Sequence, residues 1–324
     1  MKKLAAVCLT AALALTLLAG CGGDGGKETT PAGSGTTAAT QAAGGSETTT
    51  AGTQAAGGSE TTAGTQAAGG AVKVIEIDLT DELYAFGVDK DQPELLEQIN
   101  AFVAEIKADG TLDTICEKYF GGGQPEAVQS AALDESKDQL VVATNASFEP
   151  FEYMEGDSYY GIDMEIASLL AQKLGKELVI QNMDFEAVCL SVGNHQCDVA
   201  MAGLTVNAER EEYVTFSDSY YAASQRLVVK SDNTAFDGCG DKAAVEELLG
   251  QLTASDKIGV QGGTTGQFYV EGSEEWEFPG LPAQCVPYKN GSLAVQDLIN
   301  GNIQYVIIDA APATCIVNAI NQMQ

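Results

Sequence analysis

The chain has 324 residues, with 16 Lys+Arg against 46 Asp+Glu, a net charge of −30 and one histidine. So acidic a chain repels nucleic acid and anionic lipid, and no basic stretch offsets that. Its 8 cysteines form no CxxC pair or Cys/His cluster with metal spacing, so neither a metal centre nor a cofactor is expected.

Residues 1–21 combine Lys2 and Lys3, an apolar run from Leu4 to Leu18, and the ending Leu18-Ala19-Gly20-Cys21. That is the order of a secretory signal, and the run is too short to cross a bilayer. LAGC resembles the lipobox of bacterial lipoproteins, which implies a lipidated Cys21 holding the chain on the extracytoplasmic face of the membrane. Residues 22–70 repeat GSETTTAGTQAAGG almost verbatim and contain almost no large apolar side chain. Such a stretch cannot offset the entropy of ordering, and as a coiled tether its ends lie about 40 Å apart.

From residue 71 apolar strands alternate with amphipathic helices, the pattern of an α/β fold. AVKVIEID at 71–78 and YAFGVD at 84–89 read as strands. PELLEQINAFVAEIK sets Leu95, Ile99, Phe102, Val103 and Ile106 on one helical stripe and ends at Asp109-Gly110. TLDTICEKYF is a shorter helix capped by Thr111. LVVAT at 140–144 is a strand and SFEPFEY a loop. A helix N-capped by Asp163 then carries Ile166, Leu169, Leu170 and Leu174 to Gly175. The strand ELVIQNM, the helix DFEAVCLSV and the strand DVAMAGL follow, then RLVVK at 226–230. A second unit runs through KIGVQ, the turn and helix GGTTGQFYV, AQCVPY, a helix over 294–299, YVIID at 305–309 and a closing helix.

The clearest binding chemistry lies in DVAMAGLTVNAEREEYVTFSDSYY at 198–221. Ligands of α/β sheets bind beyond the carboxyl ends of strands, and Arg210 offers there a planar fork that matches a carboxylate. Gly203 permits close backbone approach and Thr205 adds a hydroxyl. Each also has a plainer reading: Arg210 as a surface ion pair, GGTTG as a turn, Asp309 as a helix N-cap, and Phe148 and Phe185 as core.

These phrases resemble the amino-acid-binding, polar-residue class of solute-binding proteins that serve bacterial ABC importers. Residues 140–324 resemble one part of that family, and IDLTDELYAFGVDKDQPELLEQINAFVAEIKADGTLDTICEKYF resembles its C-terminal quarter. The resemblance implies a two-lobed periplasmic-binding-protein (Venus-flytrap) fold with two crossover strands. It implies a non-enzymatic protein that captures an amino acid outside the cytoplasm for the membrane subunits of an ABC importer. Because the pieces stand in rotated order, a circular permutation is expected. The family's own ends are joined through 121–139, which reaches at most about 60 Å, and new ends open in lobe 2. The expected layout is lobe 2 strand at 71–83, crossover strand and lobe 1 helices at 84–120, lobe 1 at 140–225, crossover strand at 226–232 and lobe 2 at 233–324. A monomer is expected, and a segment-swapped dimer is the rival.

By the same resemblance Arg210 binds the ligand carboxylate with Gly203 and Thr205, helped by Thr264 and Thr265 at a helix N-terminus. Asp309 binds the ammonium, and Phe148 and Phe185 sandwich the side chain. Asn145 stands where basic-amino-acid binders of the family often carry aspartate, which favours a neutral or polar ligand. Asn207 and Gln304 depart from the family's pattern without touching ligand groups. Cys116, Cys189, Cys197, Cys239, Cys285 and Cys315 are expected as free thiols, most in apolar slots. Two other functions fit the same lobes. One is a dehydratase of cyclic amino-acid precursors using Asp309 or Glu149 as acid, and the other a ligand-sensing surface protein without a transporter.

Overall fold

Residues 70–323 are described by a computed structural model. The signal, Cys21 and the tether to residue 69 lie outside the described residues. The chain opens with β1 (Val72–Ile75), β2 (Glu82–Tyr84), β3 (Gly87–Asp89), α1 (Pro93–Ala108) and α2 (Thr111–Phe120). It continues with β4 (Gln139–Thr144), β5 (Ser147–Phe148), β6 (Glu152–Glu155), β7 (Ser158–Tyr160), α3 (Ile162–Leu174), β8 (Glu177–Asn182), α4 (Phe185–Gly193) and β9 (Val199–Ala200). Then come α5 (Ala208–Glu211), β10 (Val214–Phe216), β11 (Tyr221–Ala223), β12 (Gln225–Lys230), α6 (Lys242–Leu249), β13 (Lys257–Gln261) and α7 (Thr265–Glu271). Last are β14 (Gln284–Tyr288), α8 (Gly291–Asn300), β15 (Tyr305–Asp309) and α9 (Ala310–Gln322).

Strands apolar on both faces need helices on both sides, and two such sheets form. The first lobe is built on β10-β3-β9-β4-β8 and the second on β1-β12-β15-β13-β14, with the ribbon β2/β11 running between them. Leu140, Val142 and Val199 are buried in the first sheet, and Val228, Ile258, Val260 and Ile307 in the second. The α1 stripe expected from sequence is the buried face of that helix. Fully burying one such aliphatic side chain contributes about 1.5–3 kcal/mol.

The first and last described elements are neighbours. Strand β1 pairs antiparallel with β12, Val72 opposite Lys230 and Ile75 opposite Leu227. Asn321, near the end of α9, donates from Nδ2 to the Val72 carbonyl at 2.9 Å and accepts the Val72 amide at 3.4 Å. Strand β3 sits inside the first-lobe sheet, between β10 and β9. Residues 121–139 are laid down on that lobe. Val128 bridges Tyr159, the Ala131 amide donates to the Leu178 carbonyl at 2.8 Å, and the Ser130 hydroxyl accepts the Ile180 amide at 2.8 Å.

Several local expectations are corrected. The strand expected at 71–78 ends at Ile75, where the chain turns and the Ile77 amide donates to the Ile75 carbonyl at 2.8 Å. The strand expected at 84–89 is two strands, β2 in the ribbon and β3 in the first lobe, because Ala85 and Phe86 carry the chain across. The second crossing strand is β11, not residues 226–232, most of which belong to β12 of the second-lobe sheet. SFEPFEY contributes to a three-stranded sheet, β5-β6-β7, instead of a plain loop. Gly110, in a left-handed conformation, caps α2 in place of Thr111, and Gly161 precedes α3 in place of Asp163.

Candidate functional site between the lobes

Arg210 stands on α5, a single turn that has too few hydrogen bonds to persist alone. Asn207 caps it, its Oδ1 accepting the Arg210 amide at 2.8 Å. Asn207, expected to stay clear of the ligand groups, therefore fixes the backbone that carries the arginine. The Arg210 side chain is 8% exposed. Its Nη1 donates to the Thr205 carbonyl at 2.6 Å and its Nη2 to the Gly263 carbonyl of the second lobe at 3.0 Å. The Phe185 ring centre is 5.2 Å from the guanidinium carbon, a cation–π distance. An arginine has five N–H donors, so the remaining ones can take a carboxylate.

Asp309 ends β15 in the second lobe and is 4% exposed. It accepts a hydrogen bond from the Tyr84 hydroxyl and stands at the N-cap position of α9, as the plainer reading expected, without a side-chain capping bond. Burial first, and then the charge of Glu82, push its carboxyl up to about 7, against the opposing Tyr84 and Gln225 hydrogen bonds. Thr205 connects Arg210 to Glu82. Its carbonyl accepts from Arg210, and its hydroxyl donates to Glu82 Oε2 at 2.7 Å.

Glu82 is 3% exposed and also accepts from the Thr80 hydroxyl at 2.5 Å and Gln225 Nε2 at 3.0 Å. The Thr205 hydroxyl is thus already engaged. Gly203 plays a different part from the one expected. Its amide donates to Asp163 Oδ2 at 2.9 Å, and a Cβ there would lie 2.9 Å from Phe148 Cε1. The close approach that needs glycine, at φ +54°, is that of the Phe148 ring. Asp163, fully buried, also accepts from the Tyr220 hydroxyl at 2.5 Å, and burial pushes its carboxyl up to about 7. Preceding α3, Gly161 adopts φ +125°, where a Cβ would collide with the Phe151 carbonyl oxygen.

From the second lobe, Thr264 precedes α7 and its hydroxyl donates to the Gln261 carbonyl at 2.8 Å. The Thr265 hydroxyl and the Gln261 Oε1 are buried without a hydrogen-bond partner among the described residues. Buried polar atoms are almost always paired, so this pair points to a ligand position. Asn145 reaches both ways, donating from Nδ2 to the Met183 carbonyl at 2.7 Å and accepting from Gln261 Nε2 at 3.3 Å across the lobes. Phe185 and Arg210 line a cavity of about 310 Å³ with Gly263, Gln267 and Phe268. On another flank Ala146, Glu149 and Met154 face Asn290, Cys315 and Ile316 around about 400 Å³. Asp309 lines neither cavity.

Sequence reasoning missed Glu82, Tyr84, Glu152, Asp163, Tyr220 and Gln261. No signal in the sequence pointed to the first two: in Glu82-Leu83-Tyr84 the acid and the phenol are buried and the leucine is 54% exposed, the reverse of what the alternation of polar and apolar residues suggests. The six described cysteines are free. Asp89, Asp91 and His195 bring ligand atoms within 4.8 Å of one another on the first lobe, but the two ring nitrogens face different carboxylates, at 2.8 Å and 3.7 Å. The Asp89 carboxylate bonded to the ring holds the His195 pKa above its ordinary value.

The chain is 40% identical over 104 residues to the arginine-binding extracellular protein ArtP of Bacillus subtilis, an overlap of 32% of this chain and 41% of that protein. It is 30% identical over 173 residues to a putative ABC transporter arginine-binding protein 2 of Escherichia coli, covering 53% of this chain and 63% of that one. With the histidine-binding periplasmic protein of Escherichia coli it shares 25% over 186 residues, 57% and 66% of the two chains. It therefore spans less than two thirds of the length of these relatives. Among solved structures, an arginine-bound Gly52Ala mutant of ArgBP from T. maritima is 29% identical, with 57% of this chain and 79% of that chain covered and a TM-score of 0.48. The family model for bacterial extracellular solute-binding proteins, family 3, matches residues 24–122 and 140–310, well over half of the sequence. The chain belongs to the bacterial extracellular solute-binding proteins, family 3.

Proposed function

We propose that this protein captures an amino acid between its two lobes, outside the cytoplasm, and delivers it to the membrane subunits of an ABC importer. One observation carries the reading. A guanidinium on the first lobe and a carboxylate on the second are both buried, Arg210 donating across the lobes to the Gly263 carbonyl and Asp309 accepting from Tyr84 of the crossing ribbon. A zwitterion presents opposite charges to such a pair. The unpartnered Thr265 hydroxyl and Gln261 carbonyl oxygen supply further polar contacts there. The names of the relatives, arginine- and histidine-binding proteins, support a free amino acid as cargo.

The architecture of the proposal is a circularly permuted, monomeric chain held to the membrane by lipid on Cys21. The adjacency of β1 and α9 supports the permutation, since joining Gln322 to Val72 would restore an uninterrupted second lobe. The tether then enters at the second lobe. Catalysis is not part of the proposal, because the relatives carry binding names.

Thermal melts of the full chain against each of the twenty amino acids test the reading. A ligand that binds only the folded state stabilises it by about 2.7 kcal/mol at a hundred times its dissociation constant. At least one amino acid should raise the melting temperature, and Arg210→Ala should abolish that rise. No shift with any amino acid, or a shift kept in the variant, contradicts it.

A further inference from the structure

The turn after α7 belongs to the second lobe and is built as a small platform. Ser273 and Phe278 exchange backbone hydrogen bonds at 3.0 and 2.9 Å, and the Leu281 amide donates to the Val270 carbonyl at 2.8 Å. The Phe278 ring stands edge-on to the buried Tyr269 at 5.1 Å, and Trp276 stacks on Phe278 at 5.8 Å. Paired backbone and stacked rings leave the tip, Glu274 to Trp276, little freedom.

At that tip Glu275 reaches the first lobe. Its Oε1 accepts the Ala208 amide at 2.6 Å, across 67 residues of sequence. Ala208 is the first residue of α5, and the opening amides of a helix have no partner inside it. Within the first lobe Asn207 serves two of the others, its Oδ1 taking the Arg210 amide at 2.8 Å and its carbonyl the Glu211 amide at 3.1 Å. The Ala208 amide is served instead by Glu275, from the opposite lobe. A single helical turn depends on such outside partners, so the turn that carries Arg210 is complete only when the lobes stand as close as they do here. Another surface contact between the lobes, Lys289 to Asp184 at 3.3 Å, joins side chains that are 75% and 70% exposed and meets the first lobe just before α4.

We propose that Glu275 is a positioning residue of the binding cleft: on closure it holds α5, and through α5 Arg210, and so lengthens the stay of a bound amino acid. The inference rests on the amino-acid reading of the cleft and adds to it a residue that acts through another. The bond forms once the lobes have met, so its effect falls on release and not on capture. A carboxylate that accepts an amide makes a charge-assisted hydrogen bond, and the exposure of both residues limits its effect to several-fold.

Trp276, the single tryptophan of the chain, lies beside Glu275 and gives the contact an intrinsic fluorescence reporter. Stopped-flow mixing of the full chain with each of the twenty amino acids that raises its melting temperature, and release on dilution, give the two rates. Glu275→Ala, checked for native circular dichroism, should speed release about fivefold while capture stays within about twofold. Glu275→Gln keeps an oxygen that can accept the Ala208 amide and should restore most of the lost residence time. Lys289→Met, which breaks the exposed ion pair, should leave both rates within about twofold of the parent. Release unchanged in Glu275→Ala, release as fast in Glu275→Gln, or a change that falls on capture overturns the role of Glu275 and leaves the amino-acid reading standing. Equal speeding in Lys289→Met overturns it as well, since the effect is then one of surface charge. A chain that none of the twenty amino acids stabilises removes the underlying reading together with this one.

Discussion

In its proposed role as ammonium partner Asp309 carries opposite demands, because the burial that strengthens such a pairing also resists its ionisation. Its carboxyl is raised from 3.8 to about 7, so between those values the folded chain holds a proton that the unfolded chain has released. The stability contributed by this group is full below about pH 4 and is lost as pH rises through about 7. Melts of the ligand-free chain should therefore fall in midpoint from pH 5 to pH 8. In Asp309→Asn that fall should shrink, and the variant should be more stable than the parent at pH 8 by on the order of 2 kcal/mol while losing ligand. Urea titrations at the two pH values check this, and a variant that is weaker than the parent at pH 8 contradicts it. Arg210 and Asp309 were legible in the sequence because each ends a recognisable strand-and-turn phrase. Glu82 and Asp163 were not, because their role depends on what the fold brings opposite them: Thr205 and Gln225 for the first, Gly203 and Tyr220 for the second.

Among the elements, helices and long strands followed from apolar spacing, and α1, α8 and β15 lie close to where that spacing sets them. The short elements did not. A two-residue strand such as β9 or a single turn such as α5 carries no period, and its existence depends on pairing partners far away in sequence. The crossing ribbon was misplaced for that reason: β2 is defined by its pairing with β11, Tyr84 opposite Tyr221, and not by its own composition. The seam between α9 and β1 makes the permutation testable. A rearranged chain that joins Gln322 to Val72 through a short linker and opens its ends within 121–139 should fold as a monomer and bind the same ligand. Because that stretch is hydrogen-bonded to the first lobe through Ala131 and Ser130, cutting it should cost about 1–3 kcal/mol and no more. Light scattering and urea melts decide, and a rearranged chain that binds only as a dimer contradicts the permutation.

For the whole molecule, the proposed function depends on two lobes meeting around one small ligand. Arg210 to Gly263 and Asn145 to Gln261 bridge them within the site, and the Ala208 amide donates to Glu275 Oε1 at 2.6 Å, so the helix that carries Arg210 is held from both sides. In the proposed function, ligand binding and lobe position are coupled through α5. The two-lobed plan was legible from the order of strands and helices. Which carboxylates are buried was not, because a net charge of −30 spread along a sequence does not reveal which of them the fold encloses.

The most direct measurement is a crystal structure of the chain grown with the amino acid selected by the melts. The ligand's carboxylate should lie on the open N–H donors of Arg210 and its ammonium on Asp309, with Thr265 contributing its hydroxyl. A ligand seated outside the inter-lobe cleft, or touching only one of these two charged side chains, would contradict the account.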